Sequence, residues 1–411
     1  MSETIAIKAG SADGLEVSRL SSALTAWFLE QALPAWWDQG TDLVNGGFYE
    51  QRDWSGAGVE APRRTRVVAR QIYVFSVGLK LGWRGPALAA VDHGLQFLLH
   101  RLQLPAGHFA AAVTADGLVV KGEFDLYEQA FALYALASAQ AAGAQGFDLP
   151  ALALQLLACL QQGYKHPCLG FEEANPPTLP LKSNPHMHLL EAMLAWAELP
   201  AAAGHQPWAV LANEIVELCM TQFIDPGSGA LREYFASDWS AVPGDSGQLV
   251  ESGHQFEWAW LLMRWSRRTG RQDCLAAALR LIAIGEQQGV DAHRAVAVNA
   301  LHADFSVADA GAKLWPQTER VKAWCARVEL AQTAAERSAA LAKLAAALDS
   351  LLKYLRPEPG GMWHEAMAED GTFPLGPCRA SSFYHLACAI ETLHELQTGY
   401  LQQQEADEVM K

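Results

Sequence analysis

The sequence predicts an all-α fold: six helical hairpins that close into a barrel of inner and outer helices, with short β excursions in the loops. Three observations lead there. First, apolar residues recur at three- and four-residue spacing through LTAWFLEQALPAWW, LYEQAFALYALASAQAAGA, ALALQLLACLQQGY, HLLEAMLAWAELP and RSAALAKLAAALDSLLKYL, which is the period of a helix. Second, the helices are of two kinds. RSAALAKLAAALDSLLKYL is amphipathic, whereas FEWAWLLMRW and FYHLACAIETL are apolar nearly all round, as befits helices enclosed by other helices. Third, one pattern recurs six times, and the repeat organises everything else.

Each repeat has a polar or glycine-bearing lead, one polar or titratable residue, and then an apolar helix. In chain order the segments are TRVVARQIYVFSVG with Arg70, FDLYEQAFALYAL with Tyr127 and SNPHMHLLEAMLAW with His188. SGHQFEWAWLLMRW with His254, WPQTERVKAWCA with Glu319 and SSFYHLACAIETL with His385 complete the set. The marked residues follow one another at intervals of 57, 61, 66, 65 and 66 residues. Such a period holds two ordinary helices and their loops. The marked residues are therefore expected at one end of the inner ring, where helix N-termini also bring free N–H donors and positive dipole ends. Strand-like alternation is confined to short pieces such as GHFAAAVTADGLVV. The Pro/Gly-rich stretches EANPPTLPLKSNP, VPGDSGQ, RPEPGGM and FPLGP are short and fall between helices. A single barrel over residues 15–400 is expected, with frayed ends at 1–14 and 401–411.

Composition excludes several functions. The chain of 411 residues has 51% hydrophobic and 18% charged residues and a formal charge of −15. That is a foldable composition without the basic face that nucleic acid or an anionic membrane requires. Seven scattered cysteines, with no CxxC pair, suggest reduced thiols in a cytoplasmic protein. Neither a signal peptide nor a membrane-spanning run is visible. The composition is compatible with a neutral small-molecule substrate, and a monomer or homodimer is expected.

The chemistry gathers on histidine. Asn184 and Pro185 look like an N-cap and first-turn residue for His188, with Asn184 on the same face as His188. His254 and Glu257, three apart, share a face, so that the carboxylate tunes the imidazole; Glu251 stands nearby. Ser381 or Ser382 is the expected N-cap before His385. His186 faces elsewhere and is expected to be structural. In-register His188, His254 and His385, with Arg70 in the first repeat, suit acid–base chemistry on a small polar substrate. No HExxH or clustered ligand pair suggests a metal, and no cofactor is expected. A glycosidase would need two opposed carboxylates, for which Glu257, Glu319 and Asp125 are candidates. No phosphate-binding glycine loop or GxSxG elbow is present. Trp54, Trp315 and Trp363 stand beside loop motifs, where flat aromatic faces stack on a sugar.

GGFYEQRDWSG, ARQIYVFS, DLYEQAFALYALA, NPHMHLLEAMLAW, ESGHQFEWAWLL, LWPQTERVKAW and GMWHE occur in this order over nearly the whole chain. Together they resemble the N-acylglucosamine 2-epimerase superfamily, which includes N-acylglucosamine and cellobiose 2-epimerases and mannose and sulfoquinovose isomerases. The resemblance implies an (α/α)6 barrel and metal-free sugar isomerisation or epimerisation. It implies that Arg70 holds the substrate's carbonyl-side oxygens and that Tyr127 and Asn184 contact substrate. His188 would serve ring opening and positioning, His254 and His385 would form the acid–base pair, and Glu257 would partner the second histidine. Glu251, Trp315, Glu319 and Trp363 complete the expected substrate-binding set. The short SFYHLACA motif is similar to the mannose and sulfoquinovose isomerases, so aldose–ketose isomerisation of a mannose-like sugar is expected, with 2-epimerisation as the alternative.

Overall fold

A computed structural model describes residues 12–199 and 206–409. The expected fraying at 1–14 and 401–411 falls partly outside these residues; 12–14 begin the first helix and 401–409 end the last. The helices are α1 (Ala12–Trp27), α2 (Leu33–Gly40), α3 (Thr65–Lys80), α4 (Ala87–Phe97), α5 (Leu126–Ala141), α6 (Leu149–Gly163) and α7 (Ser183–Glu198). They continue with α8 (Gln206–Leu218), α9 (Ser252–Thr269), α10 (Gln272–Gln288), α11 (Leu314–Glu329), α12 (Ala334–Leu352) and α13 (Ala380–Val409). A π-helical turn, Phe28–Ala32, joins α1 to α2.

The six repeats are the six inner helices. Helices α3, α5, α7, α9, α11 and α13 pack side by side in that order, and α13 closes the ring against α3. The outer helices α4, α6, α8, α10 and α12 lie against them, and α1 fills the seam against α12 and α13. The two kinds of helix seen in the sequence correspond to these rings. In α9 every residue from Ser252 to Met263 is buried, as are Trp265 and Ser266. In α12 only a stripe that includes Ala340, Leu341, Leu344, Ala347, Leu348 and Leu351 is buried. The outer helices carry their own start signals: Asp148 caps α6, and Thr333 forms a capping box with Glu336 on α12.

The inner helices start differently. Each follows a residue or short strand that pairs, antiparallel, with the loop leading to the next inner helix. Arg63–Arg64 pairs with Ala112–Val113, Asp125 with Ala174, and Leu181–Lys182 with Tyr234–Phe235. Leu249–Glu251 pairs with Ala300–His302, and Ala312–Lys313 with Ala366–Met367. Cys378–Arg379 then pairs with Gln51–Arg52, ahead of α3. The β excursions thus form a closed ring of stitches around the barrel mouth. They also correct two expectations. Asn184 is not the N-cap of α7, because extended Lys182 in the stitch leads directly into Ser183. Ser381 and Ser382 lie inside the first turn of α13, which starts at Ala380.

A second device fixes the loops. The fourth residue of α5, α9 and α11 is Gln129, Gln255 and Gln317. Each amide both accepts from and donates to one loop backbone residue: Phe109 (2.8 and 3.0 Å), Leu231 (2.9 and 3.1 Å) and Ala297 (2.8 and 2.8 Å). In α7 the fourth residue is His186, whose Nε2 accepts from Phe171 N–H at 3.1 Å. The expectation that His186 is structural agrees with this clamp.

Candidate active site

The sixth residue of the inner helices is Arg70, Phe131, His188, Glu257, Glu319 and His385 in turn. About a turn and a half into each helix these residues stand at one level, and Arg70, His188, Glu257 and His385 among them form the floor of the mouth. The second residue is Arg66, Tyr127, Asn184, Gly253, Trp315 and Ser381, of which Tyr127, Asn184, Trp315 and Ser381 line its wall. His254 is the third residue of α9 and belongs to the wall. The expectation that His188, His254 and His385 share one phase is therefore corrected: Glu257 occupies that phase in α9. The strict helical period places these positions on the same face of every inner helix.

A cavity of about 370 Å³ opens between floor and wall. It is lined by Arg70, Tyr127, Asn184, His188, Glu251, His254, Glu257, Trp315 and His385, together with Lys313, Glu365, Arg379 and Ser382. Arg70 is buried. Its Nη2 donates to Tyr127 Oη at 2.8 Å, its guanidinium carbon lies 4.2 Å from the centre of the Phe131 ring, and its Nε has no hydrogen-bond partner. Trp315 lies beside two histidines, with ring centres 5.0 Å from His254 and 5.9 Å from His385. Gly253 makes room for it, since a Cβ there would lie 2.2 Å from the indole.

Each of the three histidines leans on a different carboxylate. His254 Nδ1 lies 2.7 Å from Glu233 Oε2, and Glu251 Oε2 is 3.8 Å away. Glu233 is itself held by Ser183 Oγ at 3.1 Å and by Glu251 N–H at 3.3 Å. His385 Nδ1 lies 2.8 Å from Glu319 Oε1. His188 Nδ1 lies 3.1 Å from Glu191 Oε2, which also accepts a short hydrogen bond from Tyr384. Glu257, expected to partner His254, has its Oε1 3.9 Å from His188 Nδ1 and 3.9 Å from Lys322 Nζ instead. Three residues of helix carry Glu257 from the level of His254 to that of His188, while the loop carrying Glu233 crosses beside His254.

Electrostatics separate the histidines. Burial works against charge on His254, but Glu233 and Glu251 outweigh it and push its pKa up to about 10. Burial drives His385 well below the ordinary imidazole value, and the Arg70 and Lys322 cations add to the shift. Burial also brings His188 down to about 4, opposed by Glu191. At neutral pH, His254 is thus an imidazolium, whereas His385 and His188 are neutral.

Two expected substrate residues do not reach the cavity. Glu319 is fully buried behind His385 and holds that ring. Trp363 is buried, stacks on Trp36 with ring centres 5.3 Å apart, and donates from Nε1 to Glu365 at 2.8 Å. Trp54 is 64% exposed in a separate surface hollow. Conversely, Glu233, Glu365, Lys313 and Arg379 were missed. Only Glu365 had a sequence signal, at the end of GMWHE; Glu233 sits in a loop outside the repeated phase. Glu191 was legible as an i,i+3 neighbour of His188.

Three clusters bring ligand-type atoms within 4.8 Å of one another: His188–Glu191–Glu257, Glu233–Glu251–His254 and Glu257–Glu319–His385. Cations already serve these carboxylates. Lys322 Nζ lies 2.5 Å from Glu319 and 3.9 Å from Glu257, and His254 is charged against Glu233. Glu257 and Glu319 share a cation on one side, so they do not form the opposed pair that a glycosidase needs.

A family profile described as N-acylglucosamine 2-epimerase matches residues 47–389. The chain belongs to the N-acylglucosamine 2-epimerase family. It is an isomerase or epimerase of a small sugar, as the motifs implied. A mannose-6-phosphate isomerase of Rhizobium meliloti (strain 1021) is 42% identical over 383 residues, 93% of this chain and 98% of the relative. A D-mannose isomerase of Thermobifida fusca is 28% identical over 271 residues, 58% of this chain and 64% of its own. Among solved structures, cellobiose 2-epimerase of Bacillus thermoamylovorans has a TM-score of 0.81 at 17% identity, over 92% of this chain and 100% of its own. A D-mannose isomerase has a TM-score of 0.78 at 17% identity, over 94% and 100%. These structural likenesses place the chain among (α/α)6 barrels. Among the described residues, no helix is long and apolar enough to cross a membrane.

Proposed function

We propose that this family member interconverts an aldose and a ketose of the mannose–fructose type by proton transfer at C2, without a metal. The observation that carries the reading is the pairing, in one cavity, of a neutral histidine with a cationic one beside Arg70. With Nδ1–H donated to Glu319, His385 presents Nε2 to the cavity as the base. It takes the C2 proton of the open-chain aldose, and the electron pair moves to O1. Arg70 and the His254 imidazolium stabilise the resulting enediolate. The proton returns to C1, and the hydroxyl proton of O2 passes to O1, giving the ketose with no net change in protons. His188, steadied by Glu191, serves ring opening; Trp315 offers a stacking face, and Tyr127, Asn184, Glu251 and Glu257 meet hydroxyls.

The alternative is 2-epimerisation, in which His254 returns the proton to the other face of C2. It is supported by the presence of both histidines beside Trp315 in one cavity. The relative named for a 6-phosphate also brings phosphorylated hexoses into the range, and Lys313 and Arg379 line the mouth where such a group would lie. The seven cysteines are unpaired, which supports a reducing compartment such as the cytoplasm.

NMR in deuterated water tests all of this at once. The panel is mannose, fructose, glucose, mannose 6-phosphate, N-acetylmannosamine, cellobiose and sulfoquinovose. Conversion of mannose or its 6-phosphate to the ketose with deuterium at C1, or recovery of aldose with deuterium at C2, is expected, and folded His254→Ala and His385→Ala should each abolish it. Undiminished exchange in both variants would overturn the assignment.

A further inference from the structure

Beneath the cavity floor lies a lysine for which the reaction has no direct use. Lys322 is fully buried on α11, one turn below Glu319. Its Nζ lies 2.5 Å from Glu319 Oε2, 3.9 Å from Glu257 Oε1, 3.6 Å from Cys388 Sγ and 4.0 Å from the centre of the Trp260 ring. It does not line the cavity, so it cannot touch a sugar there. Around it stand three buried carboxylates, Glu191, Glu257 and Glu319, and each meets one of the site's neutral histidines: Glu191 and Glu257 meet His188, and Glu319 meets His385.

We infer that Lys322 is a positioning residue that fixes the tautomer of His385 by holding Glu319 as a carboxylate. The inference rests on the proposal that His385 is the base. A carboxylate at Glu319 only accepts, so it selects the His385 tautomer with the proton on Nδ1, and Nε2 keeps its lone pair for C2. Burial raises the pKa of Glu319, and the attraction of Lys322 is what opposes that rise. Burial and Glu319 raise Glu257 in the same way, again against Lys322. Burial already pushes Glu257 well above the ordinary carboxylate range, so the charge that Lys322 holds by direct contact is the one on Glu319. Without Lys322 that buried charge is uncompensated and costly, and Glu319 takes a proton from solvent. It then becomes a donor towards Nδ1, the imidazole proton moves to Nε2, and the base is lost although every residue touching the sugar is still present.

The groups that act on His385 are Arg70 from α3, Glu191 from α7, His254 and Glu257 from α9, and Glu319 and Lys322 from α11, with the rings of Trp315 and Tyr384 beside it. Substitution of Lys322 leaves all the others in place. Lys322→Met keeps the length of the stem and removes the charge; Lys322→Arg keeps the charge. For folded Lys322→Met, C2 exchange at neutral pH should fall by about 10²- to 10⁴-fold in kcat, the range of a lost general base, with KM within a few-fold of the parent. Histidine ¹⁵N NMR should show the His385 proton on Nδ1 in the parent and in Lys322→Arg, and its loss from Nδ1 in Lys322→Met. The NMR readout needs no substrate, so it separates a failure of this inference from a wrong substrate or outcome. Parent-like kcat in folded Lys322→Met, or an unchanged His385 tautomer, overturns it. If Lys322→Met does not fold, Lys322→Arg decides: a retained tautomer supports the inference, and a folded variant without it overturns it.

Discussion

At the scale of residues, His254 and His385 are the same side chain made into opposite reagents by their surroundings. His254 faces Glu233 and Glu251, which outweigh its burial; at His385 burial dominates, and the Arg70 and Lys322 cations add to it. The proposed acid must be protonated and the proposed base neutral. Activity should therefore rise as pH climbs through the depressed value of His385, below the ordinary 6.5, and fall as pH climbs through about 10, where His254 loses its proton. Glu233→Gln removes the larger attraction on the imidazolium. The alkaline limb of kcat/KM should then move down by about one to three units, while the acidic limb stays. A pH profile with an unmoved alkaline limb would rule out His254 as the acid. The sequence made the three histidines visible because they stand in a repeat. It hid Glu233, because the contact joins α9 to a loop of no fixed spacing, and it suggested Glu257 because helical neighbours three apart look like partners. Lys322 was hidden for a related reason: one more lysine in a helix gives no sign that it is buried.

At the scale of elements, the division of labour along each inner helix is the main result. In four of the six the second residue lines the wall, in four the fourth clamps a loop, and in four the sixth forms the floor. Glutamine recurs at the fourth position in three helices, and His186 replaces it in a fourth; two histidines in one motif, His186 and His188, therefore have unrelated tasks. The repeat was legible to within a turn. Its finer phase was not, because Tyr127 and His254 hold wall positions while the other marked residues stand at the level of the floor, and the point at which a helix starts is set by stitches between distant loops. Gly253 belongs to this scale. Gly253→Ala would drive a methyl into the indole of Trp315, displacing the aromatic face beside the two histidines. Sugar KM should rise about two- to tenfold, the worth of one aromatic contact, with helix content unchanged. Titration of KM alongside circular dichroism checks this; an unchanged KM would mean that Trp315 carries no substrate.

At the scale of the whole molecule, closure is made by the last helix. Helix α13 packs between α11 and α3. Across the seam Gln71 donates to Ala380 O at 2.9 Å, Tyr73 to Glu391 at 2.6 Å, and Lys80 to Glu391 and Glu395 at 2.8 and 2.6 Å. Phe383 lies in an aromatic group with Phe28, Trp36 and Trp363 that ties α13 to the first helices and to the loop before it. Phe383→Ala should cost about 3–5 kcal/mol, measured as a shift in the urea midpoint; a loss below about 1 kcal/mol would show that the seam is held elsewhere. The all-helical ring was legible from the sequence, since its hairpins are local. Its closure, between residues some three hundred positions apart, was not. This arrangement also has a bearing on biosynthesis. Arg70 leaves the ribosome about three hundred residues before His385, yet both stand in one cavity. A nascent or truncated chain that lacks α13 has the arginine, His254 and most of the wall, but not the proposed base. On that proposal catalysis can begin only once α13 has been made and the hoop has shut, so the appearance of activity during translation would time the docking of one helix.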